Sequence, residues 1–150
     1  MSLQIATDAA IKAGFKGQSL ITAIAIAGAE SAFNPLALGD LNLQNEKWGP
    51  SVGLWQIRSL RNYQLYTGAD AMRNESKLKD PYYNAQAAFA ISKGGTDFKP
   101  WSTYTNNDYT KFTVAASTAV KNIIETVTNN PLTSAAAAIA VVLGIIFIAK

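Results

Sequence analysis

The nine residues from Ile21 to Ala29 carry no charge and a single hydroxyl, on Thr22, and Glu30 ends the run. A helix built on this stretch is apolar on most of its faces. It must therefore lie inside a domain rather than on its surface. Ser19 is placed to cap its start, and Asn34-Pro35 to end it. The carboxyl of Glu30 then sits where ionisation is expensive. Burial favours its neutral form, and the negative end of the helix dipole pushes the same way. A carboxyl that keeps its proton near neutral pH is a candidate proton donor.

The other elements read around this helix. The segment from Asp8 to Ala13 is a short first helix, stopped by Gly14 and Gly17. Residues 36–52 are rich in Gly, Asn, Asp and Pro and read as a long loop or a small hairpin region hiding two or three strands. Loops of that length in a small domain usually serve function. Leu54 to Tyr66 reads as a third helix, with Gly68 as its stop. Asp80-Pro81 is a helix start, with Asp as cap and Pro in the first turn. That helix runs from Tyr82 to about Lys93 and ends at Gly94-Gly95. Asn106 or Asn107 caps a last helix reaching about Thr128, and Asn129-Asn130-Pro131 breaks it. The expected architecture is mainly α, of the α+β type, in one domain over residues 1–128. A hydrophobic helix follows over residues 132–150.

Composition narrows the chemistry. The chain has 150 residues, enough for one well-cored domain. It has no cysteine and no histidine. Disulfides, thiolate zinc sites and every Ser-His or Cys-His arrangement are excluded. Acid–base work falls to Asp, Glu, Lys or Tyr, and neither a metal nor a cofactor is expected. The formal charge is +3, spread without a basic run, so no nucleic-acid partner is expected. A mild positive balance suits approach to anionic wall polymers or membranes, and serves plain solubility equally well. The N-terminal residues Met1 to Asp8 lack the pattern of a secretory signal. Residues 132–149 hold no charge, and Lys150 follows them. Eighteen such residues sit at the short end of a membrane span. A buried docking helix is the competing reading, and Gly144 permits self-association.

Four segments carry a resemblance. Ala29-Glu30-Ser31-Ala32-Phe33-Asn34-Pro35 resembles the catalytic Glu-Ser motif of soluble lytic transglycosylases and goose-type lysozymes. Ser51-Val52-Gly53-Leu54-Trp55-Gln56-Ile57 is similar to their Gly-Leu-x-Gln segment. Asn84-Ala85-Gln86-Ala87-Ala88 resembles their Asn-containing helix motif. Phe98-Lys99-Pro100-Trp101-Ser102-Thr103-Tyr104 resembles the aromatic closing motif of phage and actinobacterial members. One such motif is weak evidence, whereas four in order are strong.

The resemblance implies a lysozyme-like fold with peptidoglycan in a cleft and cleavage between N-acetylmuramic acid and N-acetylglucosamine. Glu30 would be the catalytic acid, oriented by a hydrogen bond near Ser31. Ser31, Gly53, Gln56 and Asn84 would meet substrate, and Tyr104 would bond the Glu30 carboxyl or an N-acetyl group. Trp55 and Trp101 are either sugar-stacking surfaces or core. Inverting hydrolysis needs a second carboxylate to activate water. Asp40 is the candidate, with a plain loop residue as its alternative, and Glu46 reads as a solvated loop charge. The resemblance and the apolar tail together suggest a phage virion or membrane-associated protein acting on the bacterial wall, with virion proteins as further partners. The competing reading is a membrane-inserting virion or pore component whose domain only binds glycan.

Overall fold

The computed structural model describes residues 2–129. The expected tail over 132–150 lies outside them. Among the described residues, no helix is long and apolar enough to cross a membrane.

Among the described residues, five α-helices and a small sheet make up the domain. Helix α1 spans Ser2–Ala13 and α2 spans Gly17–Ser31. Strands β1 (Leu38–Gly39), β2 (Trp48–Val52) and β3 (Ile57–Leu60) follow. Then come α3 (Pro81–Ile91), the single turn α4 (Ser102–Thr105) and α5 (Thr113–Asn129). Short 3-10 turns fill the connections, including Asp108–Phe112 ahead of α5.

The apolar run dictates the centre. Leu20 and all residues from Ala23 to Gly28 are buried, and α1, α4 and α5 pack around α2. Helix α1 is longer than expected because Leu3, Ala6, Ala9 and Ala10 form an apolar stripe that begins before Asp8. Lys16, not Ser19, is the cap residue of α2. The Ser19 hydroxyl lies in the first turn and donates to the Lys16 carbonyl at 2.8 Å. Phe15 is fully buried and joins the two halves of the core. Its ring lies 6.4 Å from Trp55, 5.1 Å from Phe89 and 6.1 Å from Phe98.

The sheet is antiparallel in the order β1-β2-β3. Leu38 faces Val52, Val52 faces Ile57, and Trp48 faces Leu60. The register slips between Trp48 and Ser51, where Pro50 has no N–H to give a ladder. Residues 36–52 thus hold two of the three strands, and the third lies beyond them.

The helix expected over Leu54 to Tyr66 does not form. Gly53 and Gln56 both take left-handed backbone angles, with φ of 80° and 46°. These residues make a turn instead, and the chain continues as β3. The last helix starts at Thr113, later than expected, because Asn107 is also left-handed and opens a 3-10 turn. Asp80 caps α3 as read, its carboxylate accepting from the Tyr83 N–H at 2.7 Å, with Pro81 in the first turn.

Candidate active site

Glu30 is the next-to-last residue of α2 and is half-buried. The apolar helix delivers it to the wall of a cleft of about 230 Å³. Asp40, Ser51, Gln56 and Arg58 line that cleft from the sheet side, and Pro100, Trp101 and Ser102 from the α4 side. Burial raises the Glu30 pKa above the ordinary value of 4.5. The negative charge of Asp40 raises it further, and a hydroxyl bond opposes both. That hydroxyl belongs to Thr103, which donates to Glu30 Oε1 at 2.7 Å. The net direction is upward, as the carboxyl at the end of a nonpolar helix requires.

Tyr104, expected to bond either the Glu30 carboxyl or an N-acetyl group, does not bond the carboxyl; its ring packs 5.7 Å from Phe98 and 5.0 Å from Tyr109. Aromatic spacing drew attention to Tyr104, whereas the residue that reaches the acid is its small neighbour.

The four-residue turn 53–56 is where the site is tied together. Ser31, next to Glu30, donates to the Leu54 carbonyl at 2.8 Å and also lies 2.9 Å from the Ala27 carbonyl. Asn84, from α3, accepts from the Trp55 N–H at 3.0 Å. Its amide donates to the Val52 and Leu78 carbonyls at 2.7 and 2.8 Å. The indole of Trp101 donates to the Trp55 carbonyl at 2.8 Å, and that of Trp55 to the Ala23 carbonyl at 2.8 Å. The ends of α2, α3 and the approach to α4 are each fastened to one turn.

Several expected substrate contacts are corrected by this arrangement. Asn84 is fully buried with its amide group spent on backbone, so it holds the turn and does not face the cleft. Gly53 is buried as well. Its φ of 80° suits glycine, and a Cβ there would lie 2.5 Å from Asn84 Nδ2 and 2.8 Å from the Leu78 carbonyl. Its lack of a side chain admits Asn84, not a sugar. Trp55 and Trp101 are both buried core residues rather than exposed stacking faces.

Gln56 does line the cleft. Its amide N–H groups are spent on the Ala37 and Gly53 carbonyls, both at 3.0 Å. Its Oε1 accepts from no group among the described residues. Gly39 makes room for it, since a Cβ there would lie 2.3 Å from that oxygen. Asp40 lines the same cleft, but its Oδ2 accepts from the Ser51 hydroxyl and lies 3.8 Å from Arg58 Nη1. Glu46 is exposed and lies outside the cleft.

The sequence reading missed Thr103, Ser51, Arg58 and Arg73 at the cleft. Thr103 and Ser51 lie inside quoted motifs and Arg58 follows one directly, so adjacency was the available signal. Nothing in the sequence around Arg73 marked it.

A family model described as a lysozyme-like domain matches residues 7–103. No curated protein and no solved structure matches the chain. The matched span runs from α1 to Thr103, so it contains Glu30 and the residues that line the cleft. It covers more than half of the sequence, and the chain belongs to the lysozyme-like domain family.

Proposed function

We propose that this protein is a peptidoglycan lytic transglycosylase, cutting the β-1,4 bond between N-acetylmuramic acid and N-acetylglucosamine. The carrying observation is Glu30, a half-buried carboxyl with a raised pKa, held by Thr103 in a cleft. Family membership supports action on wall glycan in general.

The protonated Glu30 gives its proton to the glycosidic oxygen as the bond to C1 breaks, and the electron pair leaves with that oxygen. The resulting carboxylate takes the proton of the muramoyl 6-hydroxyl while that oxygen bonds to C1. The acid returns protonated, a 1,6-anhydro sugar forms, and no water is consumed. Intramolecular attack needs one acid–base residue. Hydrolysis with inversion needs a second carboxylate free to activate water, roughly 6.5–9.5 Å away. Asp40 is the other carboxylate lining this cleft, and one of its oxygens is engaged by Ser51 and Arg58. That favours the intramolecular route, with Asp40 acting through its charge on Glu30. The free Gln56 Oε1 supplies an acceptor for a substrate hydroxyl or amide.

Digestion of purified sacculi, with mass spectrometry of the muropeptides, tests this reading. The expected products are anhydro-muramoyl species, each lighter by one water than the reducing-end product. Reducing-end products alone would assign hydrolysis and a working Asp40. No release of either kind would remove the enzymatic reading.

We further propose that the protein reaches the wall as part of a phage virion or from a membrane. The uncharged stretch 132–149 supports this. The full chain should float with liposomes, and a chain truncated after Asn130 should not. Equal partitioning of the two would remove the membrane role.

A further inference from the structure

Two cations line the cleft beside Glu30, and the acid–base chemistry uses neither. Arg58 and Arg73 have side chains only 22% and 16% exposed. Their guanidinium carbons lie 5.9 and 5.7 Å from the ring centre of Trp48. Both are held in place. Arg58 Nε donates to the Gly49 carbonyl at 2.6 Å, and its Nη2 donates to the Leu43 carbonyl. Arg73 Nε donates to Asp70 at 2.7 Å, and its Nη1 to the Arg58 carbonyl at 3.0 Å.

A guanidinium has five N–H donors in a planar fork. Among the described residues, Nη2 of Arg73 has no hydrogen-bond partner, and Nη1 of Arg58 has only the Asp40 ion pair at 3.8 Å. Asp40 and Asp70 balance the two charges but are themselves 44% and 50% exposed, so water weakens their hold. Both cations are largely desolvated and pack against the same indole. A neutral glycan offers only hydroxyls and N-acetyl groups in return. A carboxylate matches the fork and is bound by two parallel hydrogen bonds.

Resting on the reading that the cleft takes peptidoglycan, we propose that Arg73, with Arg58 beside it, is a carboxylate subsite. It selects muramoyl units that carry an acid group, either the free lactyl carboxylate or a carboxylate of the attached peptide stem. It is a specificity device rather than a catalytic one, because the arginines neither give nor take the reacting proton.

The test measures binding in a Glu30→Gln chain, which cannot consume its ligand. Calorimetry compares three soluble glycans: strands bearing peptide stems, strands stripped to the lactyl carboxylate, and a neutral N-acetylglucosamine oligomer. Adding Arg73→Gln should weaken binding of at least one acidic ligand about tenfold, or about 1.4 kcal/mol, and leave the neutral oligomer unchanged. Which acidic ligand loses affinity tells lactyl from stem. Arg73→Lys should restore part of the loss. Equal losses on all three ligands would mean a merely structural arginine, and no loss on either acidic one would overturn the subsite. Should Arg73→Gln fail to fold, salt dependence of the parent chain decides. Acidic ligands should weaken with salt while the neutral one does not, and indistinguishable slopes would overturn the proposal. Parent binding of the neutral oligomer at the same strength as both acidic strands removes the subsite alone. A wild-type chain that neither binds nor cuts any of the three removes the peptidoglycan reading itself.

Discussion

Removing the Asn84 side chain is the sharpest test of the fold-to-site argument. In Asn84→Ala the Trp55 N–H and the Val52 and Leu78 carbonyls lose their side-chain partner inside the core. A buried group left unpaired costs about 1–3 kcal/mol. Three such groups, with partial relaxation, give about 3–5 kcal/mol, a large share of the roughly 5–15 kcal/mol that holds a domain of this kind. For a chain of this length that lowers the melting temperature by about 10 °C. Urea unfolding followed by tryptophan fluorescence reads the loss, since Trp55 and Trp101 both bond within this network. Asn84→Asp separates geometry from size. It keeps an acceptor for the Trp55 N–H but turns an oxygen toward two carbonyls. Burial raises the pKa of that new acid, so the folded state binds its proton more tightly than the unfolded one. The Asp variant should therefore be weakest at neutral pH and recover toward acid, whereas the Ala variant should not. A loss below about 1 kcal/mol in Asn84→Ala, together with a raised KM, would refute the reasoning and return Asn84 to the substrate.

Glu30→Gln should lower turnover on sacculi by on the order of 10²–10⁴, the usual worth of a positioned acid, without lowering the melting temperature at neutral pH. Because the folded pKa of Glu30 is raised, its stability relative to the Gln variant is greatest below the unfolded value of 4.5 and falls as pH rises through the folded one; melts of both chains against pH check the sign. Thr103→Val removes a bond that favours the charged carboxyl, so the alkaline limb of kcat/KM should move to higher pH. A downward move would contradict that. Gly39→Ala drives a methyl against Gln56 Oε1 and should raise KM more than it lowers stability, read by steady-state kinetics beside a thermal melt.

Sequence signals that act locally were legible. The apolar run announced a buried α2, Glu30 at its end announced a raised pKa, and Asp80-Pro81 announced the start of α3. What escaped was decided at a distance or by backbone handedness. Leu54, Trp55, Ile57 and Leu60 have spacings that a helix also satisfies, and nothing in them shows that Gly53 and Gln56 turn left-handed. Thr103 bonds an acid 73 positions away, a pairing that no local pattern encodes. Arg58 and Arg73 looked like scattered surface charge, yet both are largely buried over Trp48.

The same network explains why Gly53 and Asn84, expected to meet substrate, lie buried. Ser31 and Trp101 both bond the turn 53–56, through the Leu54 and Trp55 carbonyls. Ser31 is adjacent to Glu30, and Trp101 lies two residues before Thr103. The distance from the acid to its hydroxyl partner is thus set by two carbonyls on consecutive residues of one turn, and Asn84 fixes that turn from behind. A carboxyl whose proton must be held and released at one position needs this rigidity, because hydrogen-bond strength falls steeply with misalignment. Gly53, Trp55, Asn84 and Trp101 therefore point inward. Their chemistry is to hold Glu30 and Thr103 in register, while Gln56, Arg58 and Arg73 keep unspent atoms at the cleft.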